Sequence, residues 1–183
     1  ETQKHVKEQF DFSNDFIGMS KKNLDELLYR HWYVVYCVRH AIEFAQTNRY
    51  NFVECGTANG VTAYFALKEI VNNLEKSKFM MHLYDSWNAM REKELSETEM
   101  DHVGNYSELD INTTKKNLKE FEDNLIYHVG YIPESLVSEE PPESIVYMHI
   151  DLNSAKPTLD TLEFFFPRLV SGGVILFDDY GQE

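Results

Sequence analysis

The chain has 183 residues, 43% of them hydrophobic and 14% aromatic, which suits one domain with its own core and excludes a disordered segment. A formal net charge of −14 argues against nucleic acid, whose phosphates need lysine and arginine, and against anionic membrane surfaces. Cys37 and Cys55 lack metal-ligand spacing and read as small core residues in a reducing, cytoplasmic setting, and no apolar stretch is long enough for a bilayer.

Residues 1–20 are mixed and polar, with Phe10, Phe12, Phe16 and Ile17 as scattered anchors, and read as an arm or lid. From Leu24, apolar residues recur at three- and four-residue spacing through Trp32, Val35, Val38 and Ile42 to Ala45, which predicts an amphipathic helix ending near Asn48. Residues 1–48 therefore form an N-terminal arm and helix on the substrate side, and residues 49–183 the core of a single domain. A strand over 51–55 runs into Gly56-Thr-Ala-Asn-Gly60 and a helix whose face is Ala63, Leu67, Ile70, Val71 and Leu74. The next strand, 79–84, ends in Asp85. Residues 88–110 are polar, with Gly104 among them, and too long for a simple connector, so a lid or binding loop is expected. A helix over 113–121, a strand over 125–129 ending at Gly130, and Pro141-Pro142 lead to an apolar run at 145–150 that ends in Asp151. Pro157 suits a first helical turn. The helix continues to Leu169, Gly172-Gly173 are expected to stop it, and a last apolar run, 173–177, ends in Asp178-Asp179. The alternation predicts an α/β fold with a doubly wound, mostly parallel sheet whose final runs are buried on both faces.

Ligands of open α/β sheets bind beyond the carboxyl ends of the strands. Asp151, Asp178 and Asp179 would meet there and repel one another, which a divalent cation with oxygen ligands would resolve. On the other half of the sheet, Gly56 allows a tight turn and close approach to a ligand, and Gly60 close helix–strand packing. The G-x-x-x-G spacing, with Glu54 just before it, disfavours a dinucleotide, because a carboxylate repels pyrophosphate but suits an ammonium group. Asp85 is placed for ribose hydroxyls. Acid, glycine turn and second acid together describe a site for S-adenosylmethionine.

These residues resemble class I S-adenosylmethionine-dependent methyltransferases, and within them the macrocin O-methyltransferase group, which acts on macrolide deoxysugars and needs magnesium. Val53-Glu-Cys-Gly-Thr-Ala-Asn-Gly60 is similar to that group's E-x-G-x-x-x-G loop and Tyr84-Asp-Ser-Trp87 to its D-S-F segment. Gly130-Tyr-Ile-Pro-Glu-Ser-Leu136 is similar to its G-W-F-x-D-T-L segment. His149-Ile-Asp151 through Asp178-Asp-Tyr-Gly181 resembles its final block. The resemblance implies Rossmann-like topology and a cofactor site at Glu54, Gly56, Thr57, Ala58, Gly60, Asp85, Ser86, Trp87, Gly130, Tyr131 and Asp151. It puts Mg2+ or a similar divalent cation on Asp151, Asp178 and Asp179. Two departures stand out. Asn153 replaces the second acid of D-G-D-x-Y, whose tyrosine is also absent, and the fold would lack its C-terminal strands.

His149 shares a strand face with Asp151 and reads either as a core histidine or as a catalytic one. His102, in the long loop, is either solvated or a general base. Trp87 either stacks on adenine or covers the core edge. The expected function is metal-assisted O-methylation of a small-molecule hydroxyl, such as a sugar's, with a homodimer left open. A non-catalytic S-adenosylmethionine-binding domain is the alternative.

Overall fold

The computed structural model describes residues 4, 16–18, 21–138 and 140–180. Most of the arm expected over 1–20, including Phe10 and Phe12, lies outside the described residues, as does Gly181. The strands are β1 (Tyr50–Cys55), β2 (Phe79–Asp85), β3 (Leu125–Val129), β4 (Ile145–Ile150) and β5 (Leu169–Phe177). They form one sheet in the order β3-β2-β1-β4-β5, every pair parallel. This is the expected Rossmann-like arrangement.

The α-helices among the described residues are α1 (Lys21–Glu26), α2 (Leu28–Phe44), α3 (Val61–Asn73), α4 (Ile111–Asn117) and α5 (Ala155–Phe165). Because strand side chains alternate, the sheet presents two apolar faces. On one, Phe52, Met81, Leu83 and Tyr147 meet Val34, Val35, Val38 and Ala41 of α2 and Phe65, Leu67 and Ile70 of α3. On the other, Val53, Cys55, Tyr84, Met148 and Ile150 meet Phe165 of α5 with Ile132 and Leu136. Both cysteines are free, and Cys55 is buried. From the arm, Phe16 reaches the first face, edge-on to Tyr64 at 5.4 Å between ring centroids. No helix among the described residues is long and apolar enough to cross a membrane.

Several boundaries differ from the sequence reading, each for a local reason. The helix expected from Leu24 to Asn48 breaks at Leu27 and ends at Phe44, where Ala45 turns extended and the Gln46 N–H donates to the Ser171 carbonyl of β5. Gly172 and Gly173 do not stop a helix. They lie inside β5, where a Cβ on Gly172 would sit 2.1 Å from the Phe44 carbonyl oxygen, so a bare backbone lets the strand cross the end of α2. The preceding helix stops at Phe165 and passes through a 3-10 turn that contains Pro167. The helix over 113–121 resolves into α4 and a 3-10 turn, Lys119–Asn124. β4 is buried throughout, whereas β5 is mostly half-buried, because it pairs with β4 on one side only.

The loop over 88–110 is held down. It carries 3-10 turns at Glu92–Glu94 and Glu97–His102. One Glu99 oxygen accepts from the Ser96 N–H and the Ser154 hydroxyl, and the other from the Ala155 N–H at 2.8 Å. The Ser96 bond closes a turn within the loop, while those from Ser154 and Ala155 tie it to the start of α5, which makes the loop a wall of the domain rather than a free lid.

Candidate active site

The sheet's hydrogen-bond ladder continues past the strand ends. The Gly56 N–H donates to the Tyr84 carbonyl and the Asp151 N–H to the Cys55 carbonyl, both at 2.9 Å. The Gly130 N–H donates to Asp85 and the Asp178 N–H to Ile150. Residues 56, 85, 130, 151 and 178 are thereby held side by side at the carboxyl edge, where the sequence placed the site. Above them opens a cavity lined by Gly56, Ala58, Asp85, Ser86, Gly130, Tyr131 and Asp151, all of them expected. The loop over 88–110 closes one side through Met90, Arg91, Tyr106 and Leu109. Tyr131 is fixed by its hydroxyl, which donates to the Ala89 carbonyl at 2.7 Å, and by the Arg91 guanidinium 3.3 Å from its ring centroid.

Asp85 organises the glycine turn. Its Oδ2 accepts from the Ala58 N–H at 2.8 Å and its Oδ1 from the Trp87 N–H at 2.6 Å. The Thr57 and Ser86 backbone N–H groups act on the same carboxylate. Burial raises the Asp85 pKa, and the backbone donors, Ala58 foremost, oppose that.

The other expected residues lie elsewhere. Glu54, read as the partner of an ammonium group, is fully buried on the α2 face, does not line the cavity and has no hydrogen-bond partner among the described residues. The nearest titratable nitrogen is His149 Nδ1, 3.8 Å away. His149, beside Glu54 in the parallel register, is buried behind Asp178, its Nε2 4.0 Å from that carboxylate. His102 is half-buried in the loop and outside the cavity lining. Trp87 turns inward, its indole N–H shared between the Ala58 carbonyl at 3.0 Å and Thr114 Oγ1 at 2.8 Å. Thr57 is buried in the turn, and Gly60 packs against Leu118 and Thr114 of the α4 region rather than against a strand.

At the metal end the three carboxylates do not converge. Asp151 and Asp178 share Arg30 of α2, whose Nε lies 2.6 Å from Asp178 Oδ1 and whose Nη2 donates to Asp151 Oδ2. Asp179 is turned to the Asn153 N–H at 3.0 Å. His149, Asp151 and Asp178 do present ligand atoms within 4.8 Å of one another, but the guanidinium stands among them. A divalent ion does not fit this arrangement while Arg30 is in place. Burial raises the Asp151 pKa to about 6, Asp178 and Asp179 add to the rise, and Arg30 and His149 oppose it.

Arg30, Tyr106 and Asn153 carry site geometry that the sequence reading did not assign. Tyr106, at a positive φ of 65° in the glycine-bearing loop, lines the cavity. Burial and the Asp151 and Asp179 carboxylates raise its pKa. An aromatic residue two positions after Gly104 in a polar loop was the available signal. For Arg30 there was none, since its partners lie more than a hundred residues away.

A profile of the methyltransferase-domain family matches residues 53–180, whereas no curated protein matches the chain by sequence. Among solved structures, the O-methyltransferase NovP is 15% identical with a TM-score of 0.73, covering 85% of this chain and 66% of NovP. The calicheamicin methyltransferase CalS11 is 14% identical with a TM-score of 0.67, covering 98% of this chain and 77% of that one. Its apo form, described as a TDP-rhamnose 3'-O-methyltransferase, gives 16% and 0.56 at the same coverage. At these identities the likeness is one of fold.

Proposed function

Since the chain belongs to the methyltransferase-domain family and has the class I S-adenosylmethionine-dependent methyltransferase fold, we propose that it is an O-methyltransferase acting on a small-molecule hydroxyl, such as a sugar's. The observation that carries this is the joint placement of Gly56, Asp85, Gly130 and Asp151 around one cavity at the carboxyl edge of the sheet.

Bound there, S-adenosylmethionine would supply the activated methyl group. The chain's residues divide the remaining work. Asp85 offers carboxylate oxygens to the ribose hydroxyls, and Gly56 brings bare backbone to the cavity floor. Asp151 lines the cavity with Asp85 and Glu94, and of these its pKa, raised to about 6, suits it to take a proton from an acceptor hydroxyl near neutral pH. Tyr106 stands by as a hydrogen-bonding partner for that hydroxyl. The pinned 88–110 loop walls one side of the cavity, and holding both reactants in line supplies most of the rate in a displacement of this type. The magnesium that the resemblance implies would need the place Arg30 holds, so no step is assigned to it.

A cofactor-binding domain without turnover is the second reading. It is favoured by one observation: neither His149 nor His102 lines the cavity. An S-adenosylhomocysteine-release assay across nucleotide-linked deoxysugars and simple sugars separates the two. Release that requires an acceptor and disappears in Asp151→Ala supports the enzyme. Tight cofactor binding without release over the whole panel supports the binding domain.

A further inference from the structure

We propose that Arg30, not a divalent ion, is the resident counter-ion of the Asp151–Asp178 pair, and that it acts as a positioning residue for Asp151 at the cavity wall. The consequence for Asp151 rests on the methyl-transfer reading; the exclusion of metal does not.

The geometry is that of one planar cation bridging two neighbouring strand ends. Arg30 Nε meets Asp178 at 2.6 Å while Nη2 of the same guanidinium donates to Asp151 Oδ2. A divalent ion would need these same oxygens at about 2.0–2.6 Å, so the two cations exclude each other. The other Asp151 oxygen is engaged as well: Asn153 Nδ2 donates to Oδ1 at 3.2 Å. An acid at position 153 would repel Asp151 and call for more positive charge, whereas the amide binds it. With Asp179 turned to the Asn153 N–H, two carboxylates remain for one guanidinium, a group that stays ionised at any working pH.

Arg30 cannot withdraw with its helix. Val34, Val35, Val38 and Ala41 of α2 are all fully buried against the sheet face, which leaves side-chain rotation as the route out. That rotation would strand both carboxylates, with the buried Glu54 beneath them also facing the guanidinium.

Manganese(II), followed by the paramagnetic resonance of the free ion, tests the exclusion. The wild-type chain is expected to show no saturable site. Arg30→Ala is expected to bind manganese roughly tenfold or more tightly than wild type, and Arg30→Ala/Asp178→Asn to lose that gain. A merely structural arginine would not produce an Asp178-dependent gain. Should Arg30→Ala fail to fold, Arg30→Gln keeps the aliphatic stem and an uncharged amide donor and carries the same comparison. Saturable manganese binding by the wild type that Asp178→Asn removes would overturn the proposal, as would folded Arg30 variants that bind no better than wild type. S-adenosylhomocysteine titrated into the same samples keeps the readings apart. Cofactor binding beside a wild-type manganese site sinks only the ion inference, and absence of both sinks only the cofactor reading.

Discussion

Gly56 lies against Asp151 so closely that a Cβ on the glycine would sit 1.7 Å from the Asp151 carbonyl oxygen. The contact is backbone to backbone, so no side-chain rotation can relieve it, and Gly56 also holds φ at +89°. Gly56→Ala is therefore expected to destabilise the chain by roughly 3 kcal/mol or more, from the strained φ and the clash together. Urea unfolding measures this. A loss below about 1 kcal/mol would mean that β1 and β4 part easily at the cavity floor.

Asp85→Ala removes the acceptor of the Ala58 and Trp87 N–H groups and the proposed ribose contact. S-adenosylhomocysteine affinity is expected to fall about 10- to 100-fold, the equivalent of one or two charge-assisted hydrogen bonds. Calorimetry decides it, and an unchanged affinity removes Asp85 from the cofactor wall.

Trp87 gives a contrasting case. Its indole N–H bonds Thr114 and Ala58 inside the domain, and the ring is outside the cavity lining. Trp87→Phe should reduce stability by about 1–2 kcal/mol through the lost hydrogen bonds while leaving cofactor affinity nearly unchanged. A large loss of affinity with little loss of stability would instead put the indole on adenine.

Acid stability tests the buried titratable groups, which pull in opposite directions. Burial, reinforced by Arg30, lowers the His31 pKa from 6.5 to about 4; burial, reinforced by His128, does the same to His82. The unfolded chain binds those protons first, so each histidine's contribution is present above pH 6.5 and lost as pH falls toward 4, up to about 3 kcal/mol apiece. Asp151, raised by burial from 3.8 to about 6, has the reverse sign: its contribution is full below pH 3.8 and lost as pH rises through 6. Between pH 7 and 4.5 the urea midpoint should fall in the wild type, less steeply in His82→Gln and more steeply in Asp151→Asn. The opposite order would contradict these environments.

Much of this was legible in the sequence, because strand ends and turns are local. The run at 145–150 and the glycine of 56–60 located the cavity floor, and Asp85 and Asp151 came with them. What escaped depends on distant pairing. Glu54 sits where the resemblance puts an acid, but strand alternation turns it to the α2 face, away from the cavity, beside His149. Arg30 occupies an ordinary polar position of an amphipathic helix, and only the packing of α2 on the sheet carries it to Asp151 and Asp178. The long polar loop read as a lid or a binding loop; it lines the cavity, and its fixed position was not legible because its anchors, Ser154 and Ala155, lie some 55 residues beyond Glu99.

On the proposed reading, the strand-end cavity holds S-adenosylmethionine. Calorimetric titration of S-adenosylhomocysteine into the chain, in magnesium and again in chelator, tests it most directly. One site of micromolar affinity, equal in both buffers and weakened by Asp85→Ala, is the expected result. A flat thermogram from the folded wild-type chain in both buffers would contradict it.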